Sequence, residues 1–277
     1  MHLLRSASAV VVVMRFLDVL LDKSNVSTVD PPSLRPEETM DDRERIDAIL
    51  KEHWVGKNAW KAETSEQGKH FTYGEVTPDG VRQLIQLMDL KKEIPRNERD
   101  DGTNEQVEDE EPIVFYDLGS GAGKLVVQLF LEKVASCAIG VELSVKRHEI
   151  AVDAWKRVQQ HLALKDSDTI YSWPLEENGK RTDMSRVQFW NQNVLDSDFS
   201  DATHLYLASL CFPTEITEAL SKKIMDNYKK HQKLKVVVSL ADLPALEVEE
   251  NRQYTKKSFE LISMTWGLST AKIYKFV

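Results

Sequence analysis

One stretch of the sequence, FYDLGSGAGKLVVQLF at residues 115–130, constrains the fold more than any other. It places Gly119, Gly121 and Gly123 within five positions, between two apolar runs. Glycine adopts backbone conformations that other residues avoid and lets another group approach the main chain closely. The first apolar run is short and continuous, and the second has helical periodicity, so the stretch predicts a buried strand, a tight turn and a helix.

The same alternation continues towards the C-terminus. The segments 137–143, 187–194, 203–210 and 233–240 are short apolar runs, and the segments 144–162 and 213–230 have helical patterns. A polar insertion occupies residues 165–186. Strands that alternate with helices favour an α/β fold with a parallel, doubly wound sheet and helices on both faces. Two alternating runs around Gly267 predict an antiparallel hairpin that closes this sheet.

Four regions follow from the composition along the chain. Residues 1–40 are predicted to be a leader and a proline-containing linker. Residues 41–94 are predicted to hold two amphipathic helices, the second capped by Thr77, and residues 95–111, with eight acids and two arginines, a disordered insertion. The ligand-binding domain is expected at 112–277.

The apolar leader leaves several interpretations open. Its apolar stretch is interrupted by Arg15 and Asp18 and is too short for a membrane-spanning helix, which needs about 20 apolar residues. It could be a transit peptide, a helix buried against the domain, or a mobile leader. Because the apolar stretch is too short to span a membrane, we expect no membrane association.

Charge and metal-ligating residues exclude some classes of function. A net charge of −9 and a pI near 5.4 argue against a broad surface for nucleic-acid phosphates. The only cysteines, Cys137 and Cys211, are too few for a disulfide framework or a four-thiolate metal site. The seven histidines lack the close spacing that is typical of metal ligands, so no metal is expected.

The glycine turn and a later acid predict a nucleoside cofactor. Glu142 ends the next predicted strand, where a carboxylate can accept hydrogen bonds from two ribose hydroxyls. A triphosphate-binding loop is excluded, because Leu118 replaces its first glycine and Leu125 replaces its serine or threonine. A dinucleotide fingerprint would need a third glycine where this chain has Lys124.

The motif that remains, Asp117-x-Gly-x-Gly-x-Gly, resembles motif I of the class I AdoMet-dependent methyltransferases. FTYGEVTPDGVRQLI at 71–85, the glycine stretch, and IGVELSVKRHEIA at 139–151 follow one another as in the Dot1-type histone-lysine methyltransferases. The resemblance covers roughly residues 71–277. It implies a Rossmann-like seven-stranded sheet and AdoMet-dependent methylation of a core lysine of nucleosomal histone three, in the nucleus.

The resemblance also implies roles for individual residues. A loop over the methionine part of AdoMet would comprise Tyr73, Gly74, Glu75 and Thr77. The other implied cofactor-binding residues are Asp117, Gly119, Gly121, Gly123, Lys124, Glu142, Asn193 and Val194. The lysine channel would be lined by Tyr73, Ser209 and Phe212. This chain has LASLCF at 207–212 in place of the family's Asn-Asn-Phe, so Ser209 is either a substitute acceptor or a core residue.

Other functions stay open at this point. The chain could be a class I methyltransferase of a non-histone protein or of a small molecule, or an inactive AdoMet-fold binding module. The expected partner is a protein substrate, a histone or nucleosome. Short basic clusters around Lys222, Lys229 and Lys256 allow at most a weak local DNA contact. The cytoplasm or, through the leader, the mitochondrion are alternative locations.

Overall fold

The computed structural model describes residues 41–54, 74–90, 111–172 and 183–277. The predicted leader and linker, the loop residue Tyr73 and the acidic insertion up to residue 110 lie outside the described residues. Within the described ranges, no helix has both the length and the apolar character needed to cross a membrane.

The helices and strands follow the predicted alternation. The helices are α1 (Asp42–Trp54), α2 (Pro78–Leu87), α3 (Lys124–Leu131), α4 (Val145–His161), α5 (Asp166–Thr169), α6 (Thr214–His231) and α7 (Pro244–Glu247). The strands are β1 (Val114–Leu118), β2 (Cys137–Glu142), β3 (Ile170–Ser172), β4 (Asp183–Ser185), β5 (Val187–Asn191), β6 (His204–Leu207), β7 (Val236–Ser239), β8 (Thr255–Met264) and β9 (Gly267–Phe276). The strand predicted at 203–210 ends at Leu207, because Ser209–Cys211 form a 3-10 turn.

Seven strands of the described chain form one sheet in the order β5-β2-β1-β6-β7-β9-β8, and β3 and β4 form a small separate pair. The first five strands of the large sheet are parallel, and β9 runs antiparallel to both of its neighbours, β7 and β8. This confirms the predicted doubly wound sheet with its C-terminal hairpin. The strand order reverses between β1 and β6, and in such sheets ligands bind at the carboxyl edge beside the reversal.

The C-terminal hairpin continues beyond this carboxyl edge. Ser239, the last residue of β7, pairs with Lys272 of β9, which in turn pairs with Phe259 of β8. Residues 260–271 therefore extend past the end of β7, and five residues of a strand span about 17 Å. The tip of the hairpin lies on the side of the sheet where the glycine turn is found.

Two hydrophobic cores enclose the sheet. One face packs against α1, α2, α3 and α4, and the other packs against α6 and α7. The predicted helix stripes lie in the first core, where Leu50, Val81 and Leu84 are each 1% exposed. Thr77 caps α2 as predicted, since its hydroxyl accepts a hydrogen bond from the Gly80 amide at 3.0 Å.

Arg82 joins the N-terminal helices to the sheet domain. Its guanidinium, 17% exposed, contacts Asp47 of α1 at 2.7 Å, Asp79 of α2 at 3.1 Å and Glu132 after α3 at 2.9 Å. These contacts raise the pKa of Arg82, although burial opposes them. Removing this partly buried cation would take the counter-charge from Asp47 and Glu132, whereas Asp79 would keep its pair with Arg43.

Replacing Arg82 with Met should destabilise the protein by about 2–4 kcal/mol, since charged groups lose their partner in a partly buried site. Urea denaturation would measure the free energy of unfolding. The control is Arg43→Met, because Arg43 pairs with Asp79 where both side chains are about 60% exposed. An exposed pair contributes about 0–1 kcal/mol. Equal effects of both changes would show that Arg82 does not join the helices.

Candidate active site

The glycine turn lies between β1 and α3, at the carboxyl edge of the sheet. All three glycines have left-handed backbone angles, with φ of 92° at Gly119, 55° at Gly121 and 76° at Gly123. A side chain at position 123 would also collide, because a Cβ would lie 2.4 Å from the ring of Phe189 and 2.7 Å from Ala151. The glycines are therefore required by the shape of the turn and by its packing on β5 and α4.

The turn is bonded to β2 and to the N-terminal helix. The amides of Gly119 and Ser120 donate to the Val141 carbonyl at 2.8 and 3.0 Å. From the other side, the indole Nε1 of Trp54, the last residue of α1, donates to the Ala122 carbonyl at 2.8 Å. A backbone carbonyl of β2 and a side chain of α1, two parts of the chain that are distant in sequence, thus hold the turn in place.

Asp117 precedes the turn and is 3% exposed. Its Oδ1 has no hydrogen-bond partner among the described residues. Burial, together with the nearby charge of Glu142, raises the pKa of the Asp117 carboxyl to about 8. A buried acceptor without a partner is unfavourable in a fold unless a ligand completes it.

Glu142 ends β2 and is 5% exposed. Its Oε2 accepts from the Gly121 amide at 2.9 Å, and its Oε1 accepts from the Ser144 amide at 2.8 Å. The guanidinium of Arg147 also donates to Oε1, at 3.0 and 3.2 Å. Glu142 is thus positioned beside the turn as predicted, and a ribose hydroxyl that used Oε1 would have to share it with Ser144 and Arg147.

The segment 74–77 runs along the tip of the hairpin. Glu75 exchanges hydrogen bonds with Thr265, and the Thr77 amide donates to the Ser263 carbonyl at 3.0 Å. A Cβ on Gly74 would lie 1.6 Å from the Trp266 ring, so any other residue there would have to displace this ring. This part of the loop predicted to cover AdoMet is therefore attached to β8 and to the turn before β9.

Lys124 connects this segment to the glycine turn. It is the first residue of α3, and its Nζ contacts Glu75 Oε2 at 2.5 Å, with both side chains about one-fifth exposed. The resemblance places both residues near the cofactor, and in the structure they form an ion pair with each other. A direct contact of either with AdoMet stays a prediction, as does a contact of Thr77, whose hydroxyl caps α2.

Asn193 and Val194 follow β5 at the same edge of the sheet. The side chain of Asn193 accepts a hydrogen bond from the Leu195 amide at 3.0 Å, which shapes the turn. Val194 is 8% exposed and belongs to the second core. These contacts give both residues a structural role, and their predicted contacts with adenine stay predictions.

Ser209 and Phe212 follow β6. Ser209 is 1% exposed, and its hydroxyl contacts Ser239 Oγ at 2.8 Å and accepts from the Ala241 amide at 3.0 Å. Its hydroxyl is therefore used to join the ends of β6 and β7. Phe212 lies at the glycine turn, since a Cβ on Gly119 would be 3.0 Å from its ring. The substrate contacts predicted for both residues stay predictions.

Sequence reasoning missed three residues of the site. Trp54 supports the turn, Arg147 pairs with Glu142, and Asn191 donates from its amide to the carbonyls of Glu142 and Leu143 at 2.9 and 3.1 Å. The sequence could have indicated Asn191 as a site residue, because it ends a strand beside β2. No local pattern indicates what the indole of Trp54 contacts.

The family model described as "Histone methylation protein DOT1" matches residues 103–266, more than half of the 277-residue chain. The chain belongs to the DOT1 family. It is an AdoMet-dependent methyltransferase. A sequence search of curated proteins finds no match.

The solved structures that resemble this chain include the following three. The human methyltransferase 10 domain containing protein is 10% identical, with a TM-score of 0.45, over 85% of this chain and 98% of that one. The METTL16 methyltransferase domain is 12% identical, with a TM-score of 0.43, over 85% and 81%. M. capricolum TrmK, in complex with S-adenosyl-homocysteine, is 12% identical, with a TM-score of 0.39, over 70% and 67%. Such distant likenesses do not bear on the substrate.

The residues of this DOT1 protein fit AdoMet. The cofactor carries a cationic amino group, a ribose diol and an adenine. The site offers a carboxylate at Glu142 and a buried carboxyl at Asp117, whose Oδ1 has no partner in the described part of the chain. The left-handed glycine turn leaves the backbone accessible to a ligand at the same edge. Asp117, Glu142 and the turn are therefore the residues that would hold it.

Replacing Glu142 with Ala should weaken AdoMet binding about 30-fold or more, because charge-assisted hydrogen bonds worth about 2 kcal/mol in total are lost. Isothermal titration calorimetry would measure the affinity. Glu149→Ala, an exposed change on α4, is the matched control. An unchanged affinity in the Glu142 variant would remove Glu142 from the binding site.

Asp117 should make stability depend on pH. Its pKa is about 8 in the folded protein against 3.8 without the protein environment. Between these values the folded state holds a proton that the unfolded state has lost, so the free energy of unfolding falls as pH rises from about 4 to about 8. Asp117→Asn should flatten this dependence, as measured by denaturation without added cofactor.

The exposed change Asp153→Asn on α4 is the control and should leave the wild-type dependence in place. A wild-type slope that persists in Asp117→Asn would mean that Asp117 ionises near its ordinary pKa in the folded protein.

Proposed function

We propose that this chain is a protein-lysine N-methyltransferase of the Dot1 type that acts in the nucleus on a core lysine of nucleosomal histone three. The family assignment supports AdoMet-dependent methylation, and the position of Phe212 is the observation that supports a lysine as the substrate. This aromatic ring lies against Gly119 of the turn that would hold the cofactor. An aromatic wall at this position suits the aliphatic chain of a lysine.

Bound AdoMet supplies a methyl group that is attached to a sulfonium sulfur, and this sulfur is a good leaving group. The chain's own contribution is to position a lysine and to keep its amine neutral. An apolar environment lowers a lysine's pKa because burial disfavours the charged form. Phe212 is an apolar group next to the turn, and Leu210, two residues before it in the chain, is 54% exposed. Positioning and desolvation are sufficient for such a transfer, and no strong base is required.

The projecting hairpin supports a protein substrate. Phe259, Leu261 and Leu268 are 56–66% exposed and lie on one face of the hairpin, as the pairing of Ser263 with Leu268 shows. Trp266, at the tip, is 50% exposed. An apolar strip of this kind beside a catalytic edge is typical of a surface that contacts a protein. We propose that this apolar strip contacts the folded part of the substrate protein.

A non-histone protein substrate is the second candidate, and the lysines favour it. Lys223 donates to the carbonyls of Leu195 and Ser197, and Lys257 pairs with Asp242 and Glu247. Two lysines of the predicted basic clusters are thus engaged within the protein. With these two engaged and a net charge of −9, contact with nucleosomal DNA should be weak.

We expect slow methylation of histone three on nucleosomes, measured with tritiated AdoMet. Because each neutralised phosphate contributes about 0.9 to the salt slope, nucleosome binding should have a slope of about 3 or less. Replacing the exposed Lys256 with Ala should lower nucleosome activity and leave AdoMet affinity unchanged. The Glu142→Ala variant serves as the inactive control for every substrate.

Nucleosomes, free histones and cell extract should be compared in parallel. Strong labelling of extract proteins with none on nucleosomes at low salt would favour the non-histone substrate. Cofactor binding without labelling of any substrate would favour an inactive binding module.

A further inference from the structure

Three metal-ligating side chains meet where α1 ends beside the end of α4. Glu52 and His53 belong to the last turn of α1, and His161 is the last residue of α4. One ligand atom from each lies within 4.8 Å of the other two. The two imidazole rings are edge-on, with centroids 5.1 Å apart, and His161 Nδ1 lies 3.8 Å from Glu52 Oε2.

His53 is the fixed member of this cluster. It is 7% exposed, and its Nε2 has no hydrogen-bond partner among the described residues. A buried imidazole nitrogen without a partner is unfavourable unless a ligand completes it. The side chains of His161 and Glu52 are 40% and 62% exposed, so both can rotate.

The donors match the preferences of zinc. Two imidazole nitrogens and one carboxylate oxygen form a ligand set that Zn²⁺ accepts, with water as a fourth ligand. Bond lengths of about 2.0–2.2 Å place neighbouring ligand atoms of a tetrahedral site about 3.3–3.5 Å apart. The observed spacing therefore requires only a shift of about an ångström, which the exposed Glu52 and His161 can make.

The cluster has a positive charge next to it. Arg157, whose guanidinium donates to the His53 carbonyl at 2.9 Å, is the cation beside the site, and the Glu52 carboxylate offsets its charge.

We propose that Glu52, His53 and His161 bind Zn²⁺, and that the metal clamps α1 to α4. The residue after His53 is Trp54, whose indole holds the Ala122 carbonyl of the glycine turn at 2.8 Å. A metal that fixes the end of α1 therefore stabilises the turn that binds the cofactor. Sequence spacing did not predict this site, because the two histidines lie on different helices.

The test uses the untagged full chain, freed of metal by chelation. Titration with Co²⁺ should give one equivalent of binding with the intense visible absorption of a low-symmetry site, and Zn²⁺ should displace it. His161→Ala and Glu52→Ala should each weaken binding about tenfold or more. Zn²⁺ should raise the Tm of the wild type but not of His161→Ala.

His231→Ala, which changes a histidine at the end of α6 outside the cluster, is the matched control and should behave as the wild type. Wild-type Co²⁺ binding in both His161→Ala and Glu52→Ala would overturn the site. These readouts depend on metal binding alone, so they are independent of the substrate of the enzyme.

The effect of the metal on cofactor binding is tested by calorimetry with AdoMet. Zn²⁺ should tighten AdoMet binding to the wild type by about threefold to tenfold, and this gain should disappear in Trp54→Phe, which lacks the indole donor. An equal gain in both proteins, or none in the wild type, would overturn the coupling through Trp54.

Discussion

The Val141 carbonyl accepts hydrogen bonds from both Gly119 and Ser120, and the rest of the site depends on this double contact. Two successive amides can converge on one acceptor only if the chain turns sharply, which explains the left-handed φ at Gly119. The same turn brings Gly123 so close to Phe189 that no side chain fits. The end of β2, the glycine turn and β5 are therefore packed as one unit, and a change in any one of them displaces the others.

Parts of the chain that are remote in sequence complete this unit. Trp54 reaches the turn from α1, and Lys124 connects it to Glu75. The hairpin holds the same segment from the other side, because Trp266 occupies the space that a side chain at Gly74 would need. The α/β core alone provides the turn, whereas α1, the segment 74–77 and the hairpin surround it.

The sequence predicted the elements well because the signals for them are local. Apolar periodicity identified the strands and helices, and Thr77 followed by Pro78 identified the start of α2. The positions of Asp117 and Glu142 at strand ends followed from the same patterns, since parallel strands bring their carboxyl ends to one edge. The alternation of strands and helices predicted the parallel sheet, and the family resemblance implied its seven strands.

Periodicity does not state which partner a buried group meets. Trp54 and Ala122 are 68 residues apart, and only the packing of α1 on α3 brings them together. In the same way, the Ser209 hydroxyl was a candidate for the substrate channel, and the structure bonds it to Ser239 and Ala241. Predictions of polar contacts therefore needed the tertiary structure.

Asp117 shows how cofactor binding and stability are connected in this fold. It is paired in the sheet with Tyr206 on one side and Gly140 on the other. Asp117 Oδ1 and the Tyr206 hydroxyl are both buried without a partner among the described residues, and such groups cost about 1–3 kcal/mol each. An apolar pair at these positions would suit the core better, so this polar pair is costly to the fold by itself. A cationic ligand group beside Asp117 would turn an unfavourable burial into a paired charge, and the protein would then be stabilised by the molecule that it binds.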